Sequence, residues 1–190
     1  MNPEFQHYYV HIIESIFILG LLIISMITFF FYKNKNERLL GILPLLALLA
    51  HQVEEYVLSS LILGDFYHFL NWAYRIGMDI SPLEVITINA PGWIIVGSLI
   101  LFKNQSALFT KLFLLINSIL LANATLHLGI ATSLGEYSPG MITSLFMYLP
   151  LYIYSILLSS RNQLHFRTIL VLSVLGFVIH FILLMRITVF

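Results

Sequence analysis

The chain has 190 residues, of which 59% are hydrophobic and only 9% are charged. Soluble domains carry about 25% charged residues, so this composition predicts an integral membrane protein with little soluble mass. The formal net charge of zero argues against a nucleic-acid partner, and the lack of cysteine excludes disulfides, thiolate metal sites and a cysteine nucleophile.

Six apolar segments are long enough to span a bilayer, which takes about 20 residues. They predict an all-α fold, a polytopic transmembrane helix bundle of about six spanning helices. No polar linker separates them, so residues 1–190 are expected to form a single transmembrane domain. The first segment follows no basic n-region and precedes no small-residue cleavage site, which favours a retained helix over a signal peptide. The segments are 10–32, 39–61, 84–102, 107–133, 139–160 and 166–187.

Lysine and arginine predict the orientation of the bundle, because they concentrate in short cytoplasmic loops. If six helices alternate, most basic residues fall on one side of the membrane, and both termini are then expected outside the cytoplasm. The residues on the cytoplasmic side are Lys33, Lys35, Arg38, Lys103, Lys111, Arg161 and Arg167, and those on the other side are Arg75 and Arg186.

The connection between the second and third segments, LGDFYHFLNWAYRIGMDISP (63–82), is dense in aromatic residues. Tyrosine and tryptophan favour the membrane interface. The pattern predicts a short helix lying on the outer surface. It would serve either as an interfacial anchor or as a lid or lipid entrance over a site below.

The second segment carries His51, Glu54 and Glu55 inside an apolar run. A charged side chain at the bilayer centre costs about 2.5–3.5 kcal/mol and normally faces the bundle interior. Spacings of three and four residues on an α-helix let all three side chains point into one cavity. The i, i+4 pair is also how HExxH and HxxEH helices offer two ligands to one zinc ion.

Two more histidines lie at a matching depth on other helices that run in the same direction, His127 in the fourth segment and His180 in the sixth. The predicted metal ligands are therefore His51, His127 and His180 with Glu55 or Glu54, and the other glutamate is the predicted general base. Imidazole and carboxylate ligands suit zinc or iron. Asn89 and Asn123 are expected to orient an imidazole or a bound water.

Other polar residues have weaker predicted roles. Tyr148 has the right depth to donate a hydrogen bond to a substrate oxygen, although aromatic packing explains it equally well. His11 and Glu14 form a stripe near the outer end of the first segment. That stripe is either a solvated helix end or an extension of the site.

The leading hypothesis is a membrane-embedded metalloenzyme acting on a membrane lipid or lipophilic small molecule that enters sideways from the outer leaflet. Zinc would favour hydrolysis of an ester or amide, and iron would favour oxidation. The carboxylates are too few for a di-iron site. The alternatives are a proton or divalent-cation transporter or channel, a metal-free His/Glu acid–base isomerase, and a structural polar core.

The motifs HQVEE (51–55) and NATLH (123–127), with the late His180, resemble the pattern of the HXXEE-domain proteins, a family of small bacterial membrane proteins. The resemblance runs from the second segment to the sixth. It implies a location in a bacterial inner membrane but no particular reaction. Its signature positions in this chain would be His51, Glu54, Glu55, Asn123, His127 and His180.

Overall fold

The computed structural model describes the backbone of residues 3–102, 104 and 106–188 and the side chains of 9–102, 104 and 106–185. Over that part of the chain it contains seven helices and no strand. Six of the helices are long and apolar enough to cross a membrane. The helices are α1 (Pro3–Lys33), α2 (Leu39–Leu63), α3 (Phe69–Arg75), α4 (Pro82–Leu101), α5 (Ala107–Leu134), α6 (Met141–Arg161) and α7 (Phe166–Thr188).

This architecture confirms the predicted all-α bundle of six spanning helices, with the short α3 in the aromatic connection. The bounds agree with the predicted segments to within two residues, except that α1 begins at Pro3 and not at residue 10. The polar residues before position 10 end the apolar run but not the helix. Lys103 and the side chain of Arg186 lie outside the described residues, and the orientation of the bundle stays a prediction.

Local sequence signals set the ends of the helices. Ser81 and Glu84 form a capping box at the start of α4, with Pro82 at the first turn. Ser106 accepts a hydrogen bond from the Phe109 N–H at the start of α5. Gly135 ends α5 in the left-handed conformation, which glycine adopts without strain.

The two helices that carry the polar motifs are also the two best shielded from the surroundings. In α2 and α5, 56% and 50% of the most apolar window is buried, against 17% or less in the other spanning helices. Ionisable groups in a bilayer need such shielding because lipid offers them neither hydrogen bonds nor counter-charges. The fold therefore places His51, Glu55 and His127 on helices that face other protein segments.

Helix α7 packs closely on α5 through Gly176. A Cβ atom at Gly176 would lie 2.5 Å from Ser118 Cβ and 2.9 Å from the Ile119 nitrogen. Real Cβ atoms do not approach other atoms so closely. Gly176 therefore permits the close approach of α5 and α7.

We predict that Gly176→Ala lowers the free energy of unfolding in detergent by about 1–3 kcal/mol, because α5 and α7 must separate to admit the methyl group. Gly129→Ala is the matched control. A Cβ atom at Gly129 meets nothing within 4 Å, so this change gains up to about 1 kcal/mol of helix propensity. Equal unfolding midpoints for the two variants would contradict the close contact.

Candidate metal centre

A π-helical turn, Glu54–Leu58, interrupts α2 inside the HxxEE motif. A π turn holds more residues than an α turn and changes the directions of the side chains that follow; such turns are frequent at functional sites. Glu55 faces the imidazoles of His51 and His127, whereas Glu54 faces the start of α6. The expectation that His51, Glu54 and Glu55 share one cavity is therefore corrected for Glu54.

His51, Glu55 and His127 form a buried group that could hold a metal ion. One ligand atom from each residue lies within 4.8 Å of the other two. Oε1 of Glu55 is 3.4 Å from His51 Nε2 and 3.2 Å from His127 Nε2. The two imidazole rings lie edge to face, with centroids 4.9 Å apart. Helices α2 and α5 thus bring two nitrogens and one oxygen to a common point.

Hydroxyl groups from the α5–α6 connection and from the first turn of α6 orient both imidazoles through their other nitrogen. His51 Nδ1 lies 2.8 Å from Thr143 Oγ1, and His127 Nδ1 lies 3.1 Å from Ser138 Oγ. Metal-bound histidines typically make such a bond with the nitrogen that does not face the metal. Both Nε2 atoms are thereby left to face Glu55.

The tautomer of His51 follows from the hydrogen-bond chain behind it. Thr143 has one hydroxyl hydrogen, which it donates to the carboxylate of Glu54. Its oxygen therefore accepts from His51 Nδ1, and a neutral His51 carries its lone pair on Nε2. That lone pair faces the Glu55 carboxylate, so two electron-rich atoms oppose each other unless a cation or a proton lies between them.

Glu54 is a buried clamp for the start of α6. Its carboxylate accepts hydrogen bonds from the Tyr137 hydroxyl at 2.6 Å, the Ile142 N–H at 2.9 Å, and both the N–H and the hydroxyl of Thr143. Backbone N–H groups at a helix start have no partner within the helix and favour a negative charge. These four donors occupy the lone pairs that a ligand or a general base would need.

Tyr137 is held in its protonated, donating form. Burial and the hydrogen bond to Glu54 both raise the pKa of Tyr137 well above its usual value. Its hydroxyl also lies 3.0 Å from Ser59 Oγ, which donates to the Glu54 carbonyl. The clamp therefore includes the loop before α6 as well as the first turn of that helix.

Gly140 lets this loop lie against the metal-binding group. Its φ of 89° is in the left-handed region, where a side chain is disfavoured. A Cβ atom there would collide with the His51 ring and lie 3.0 Å from Glu55 Cγ. The contact of this loop with His51 and Glu55 therefore depends on glycine at position 140.

An apolar cavity of about 190 Å³ adjoins the group and is lined by Glu55 and His127. His180, Asn123 and Tyr148 line the same cavity, as their predicted roles require. The ring of Tyr148 also packs on His51 at a centroid distance of 4.8 Å. Among the described residues His180 is not part of the three-residue group, so its role as a ligand stays a prediction.

Asn89 also lines the cavity, but its hydrogen bond goes to Gln52, a residue that sequence reasoning missed. Gln52 Nε2 donates to Asn89 Oδ1 at 2.5 Å, and Trp93 Nε1 donates to Gln52 Oε1 at 2.8 Å. This buried network joins α2 to α4. Asn89 thus links α2 to α4. The role of orienting an imidazole, which the sequence suggested for Asn89, belongs to Thr143 and Ser138.

The short helix α3 covers the site. Trp72 is fully buried, and its ring stacks on His127 with a centroid distance of 6.3 Å and an interplanar angle of 23°. Arg75 at the end of α3 pairs with Glu136 at 2.6 Å and lies over the Phe66 ring. The aromatic connection is therefore a cover over the His/Glu group as well as a surface element.

Glu14 lies in a second, polar pocket and not in the apolar cavity. Its carboxylate pairs with His11 at 2.9 Å and lies 3.4 Å from His68 Nε2. Burial lowers the pKa of His68, against the opposing effect of the Glu14 and Asp65 carboxylates. Glu14 and His11 are thus part of a distinct polar cluster.

We predict that Glu54→Ala lowers the free energy of unfolding in detergent by about 3 kcal/mol, because it leaves several buried donors without an acceptor. Glu14→Ala is the control, since its partly exposed pairs should contribute about 1 kcal/mol or less. Chemical unfolding followed by circular dichroism measures both. If Glu54→Ala loses no more free energy of unfolding than Glu14→Ala, the hydrogen bonds to Glu54 do not stabilise the fold.

Comparison with known proteins identifies the family of the chain. A family model described as "Protein of unknown function with HXXEE motif" matches residues 42–155, which is more than half of the chain and confirms the resemblance. The match includes His51, Glu54, Glu55, Asn123 and His127, and it ends before His180. No curated protein and no solved structure matches the chain. The chain therefore belongs to the family of proteins with the HXXEE motif, whose function is unknown.

Proposed function

We propose that this protein is a membrane-embedded, metal-dependent enzyme in which His51, Glu55 and His127 hold one divalent cation and a lipophilic substrate occupies the adjacent cavity. The observation that carries the proposal is the opposition of the His51 Nε2 lone pair and the Glu55 carboxylate in a buried site. A cation between these two electron-rich atoms would attract both and so remove their repulsion.

The spacing of the three atoms fits zinc. Zinc–nitrogen bonds of about 2.0–2.1 Å in a tetrahedron place neighbouring ligand atoms about 3.3 Å apart. Two of the three separations, from Glu55 Oε1 to the Nε2 atoms of His51 and His127, are 3.4 and 3.2 Å, and the third is no more than 4.8 Å. Two histidines and one glutamate are also a ligand set of zinc hydrolases, which leave the fourth position open. The same set serves non-haem iron oxygenases, so iron is the alternative cation.

The leading reaction is hydrolysis of an ester or amide. Zinc at an open site activates water and polarises a carbonyl. His180 lines the cavity beside Glu55 and is the residue we expect to accept the proton from water. Tyr148 would donate a hydrogen bond to the substrate carbonyl. The sequence suggested Glu54 as a base, but its carboxylate already accepts hydrogen bonds from the backbone N–H groups at the start of α6.

We predict that purified protein carries about one metal ion per chain and that His127→Ala abolishes it, because only two of three ligands remain. Elemental analysis measures the content, and zinc would support hydrolysis whereas iron would redirect the proposal to oxidation. His68→Ala is the matched control, since His68 is also buried but lies outside the group. Stoichiometric metal in His127→Ala would refute these ligands.

His180→Ala separates the two roles open to that residue. Loss of metal in this variant would make His180 a fourth ligand, as the sequence predicted. Retained metal with lost activity would assign it to proton transfer. Protein without metal in the wild type would leave the metal-free acid–base isomerase as the better function, because the same geometry can share a proton between His51 and Glu55.

We further predict that Thr143→Val weakens zinc binding by about 10- to 100-fold, because His51 loses the acceptor that fixes its tautomer. Thr28→Val is the control, since the Thr28 hydroxyl donates to the carbonyl of Ile24 within its own helix. Competition with a chromogenic chelator gives both affinities. Equal affinities in the two variants would show that the hydroxyl does not orient the ligand.

A further inference from the structure

The size of the apolar cavity limits what it can enclose. Its volume of about 190 Å³ is below the range of about 300–1,000 Å³ for sites that bury most of a drug-sized ligand. A lipid is larger than a drug-sized ligand. The cavity can therefore hold the end of such a molecule, and the rest must leave through an opening.

Four residues that line the cavity each present a buried polar atom with no hydrogen-bond partner among the described residues. Buried polar groups are normally paired, so several together indicate a ligand. Trp72 Nε1 can only donate and Asn123 Oδ1 can only accept, while a hydroxyl and an imidazole can do either. The atoms are Trp72 Nε1, Asn123 Oδ1, Tyr148 Oη and His180 Nε2.

These atoms call for a ligand end group that both accepts and donates hydrogen bonds. An alcohol or an amide does both, whereas the carbonyl end of an ester without a hydroxyl offers no donor to Asn123. Most of the remaining lining is apolar, with Ile88 of α4 and Leu183 of α7 as examples. The cavity is thus built for one polar end group followed by a hydrocarbon chain.

The candidate opening for the chain is the space between α4 and α7. Both helices line the cavity, but within the described part of the chain they scarcely contact each other. Gly92 lies on the α4 side, and a Cβ atom there would meet nothing within 4 Å. Spanning helices face acyl chains on their outer surfaces, so a gap between them opens sideways into lipid and not into water.

We propose that the cavity binds the end of a single-chain lipid that carries an alcohol or amide group, with the hydrocarbon chain leaving between α4 and α7 into the bilayer. The inference rests on the proposed function, because it takes the cavity beside the His/Glu group as the place where the substrate reacts. Binding of a neutral alcohol needs no metal, so the two proposals can fail separately.

The test uses two isomers of bromohexadecanol as probes, since bromine quenches tryptophan fluorescence on contact. One isomer carries bromine on the carbon next to the alcohol carbon, and the other carries it at the far end of the chain. We expect the first to quench Trp72 saturably in detergent and the second to compete without quenching it. The Trp72→Phe variant identifies the signal, because Trp93 is the other tryptophan of the chain.

Two glycine variants test the opening. Gly92→Phe should weaken binding of the probe by about tenfold or more, because the ring fills the gap beside α7. Gly129→Phe is the matched control, since it also adds a ring where nothing lies within 4 Å, but at an exposed position that does not line the cavity. We expect it to bind the probe like the wild type, with or without chelator.

Equal quenching of Trp72 by both isomers, or none by either, would overturn the proposal without any variant. Equal binding by Gly92→Phe and Gly129→Phe would overturn the position of the opening. Saturable quenching by the first isomer in protein that contains no metal would support the lipid site while the metal proposal fails. Bound metal without probe binding would support the metal proposal and overturn the lipid site.

Discussion

The structure depends on keeping two adjacent carboxylates inside a bundle that lipid surrounds. An ionised carboxylate away from water is stable only if charge or several hydrogen bonds compensate it. The protein compensates its two in different ways. Glu54 receives hydrogen bonds from the start of α6, and Glu55 faces two imidazoles. The two side chains can reach different partners because adjacent residues of a helix point about 100° apart, and both lie at the start of the π turn in α2.

The different surroundings of Glu54 and Glu55 explain several other features of the helix bundle. The loop before α6 must return close to α2, which requires glycine at position 140. Helix α3 must cover His127, which places Trp72 on the imidazole and not at the surface. The best-buried helices are consequently α2 and α5. Shielding of the polar group and packing of the bundle are thus the same structural requirement.

Hydrophobicity predicted the six helices because lipid exposure allows few other patterns, and matching depth predicted that His51 and His127 would meet. The split of Glu54 from Glu55 could not be predicted, because on an ideal helix both lie within about 60° of His51, on opposite sides of it, so either could face the same cavity. Thr143 and Ser138 were missed for another reason. Their contacts with the imidazoles depend on how the α5–α6 connection and the first turn of α6 fold back onto α2, which no local pattern encodes. Gln52 was missed because its bond to Asn89 joins two separate helices. Trp72 was taken for a general interfacial aromatic.

The clamp and the candidate metal centre form one continuous chain of hydrogen bonds. Backbone N–H groups of α6 hold Glu54, Glu54 accepts from Thr143, and Thr143 accepts from His51. The direction of each bond fixes the next, so the start of a helix determines which nitrogen of His51 faces Glu55. A site arranged in this way is set by folding before any ligand arrives, which spares the reorganisation that weakens loosely held sites. The two glutamates are therefore not duplicates: one fixes the geometry, and the other faces the position that the geometry creates.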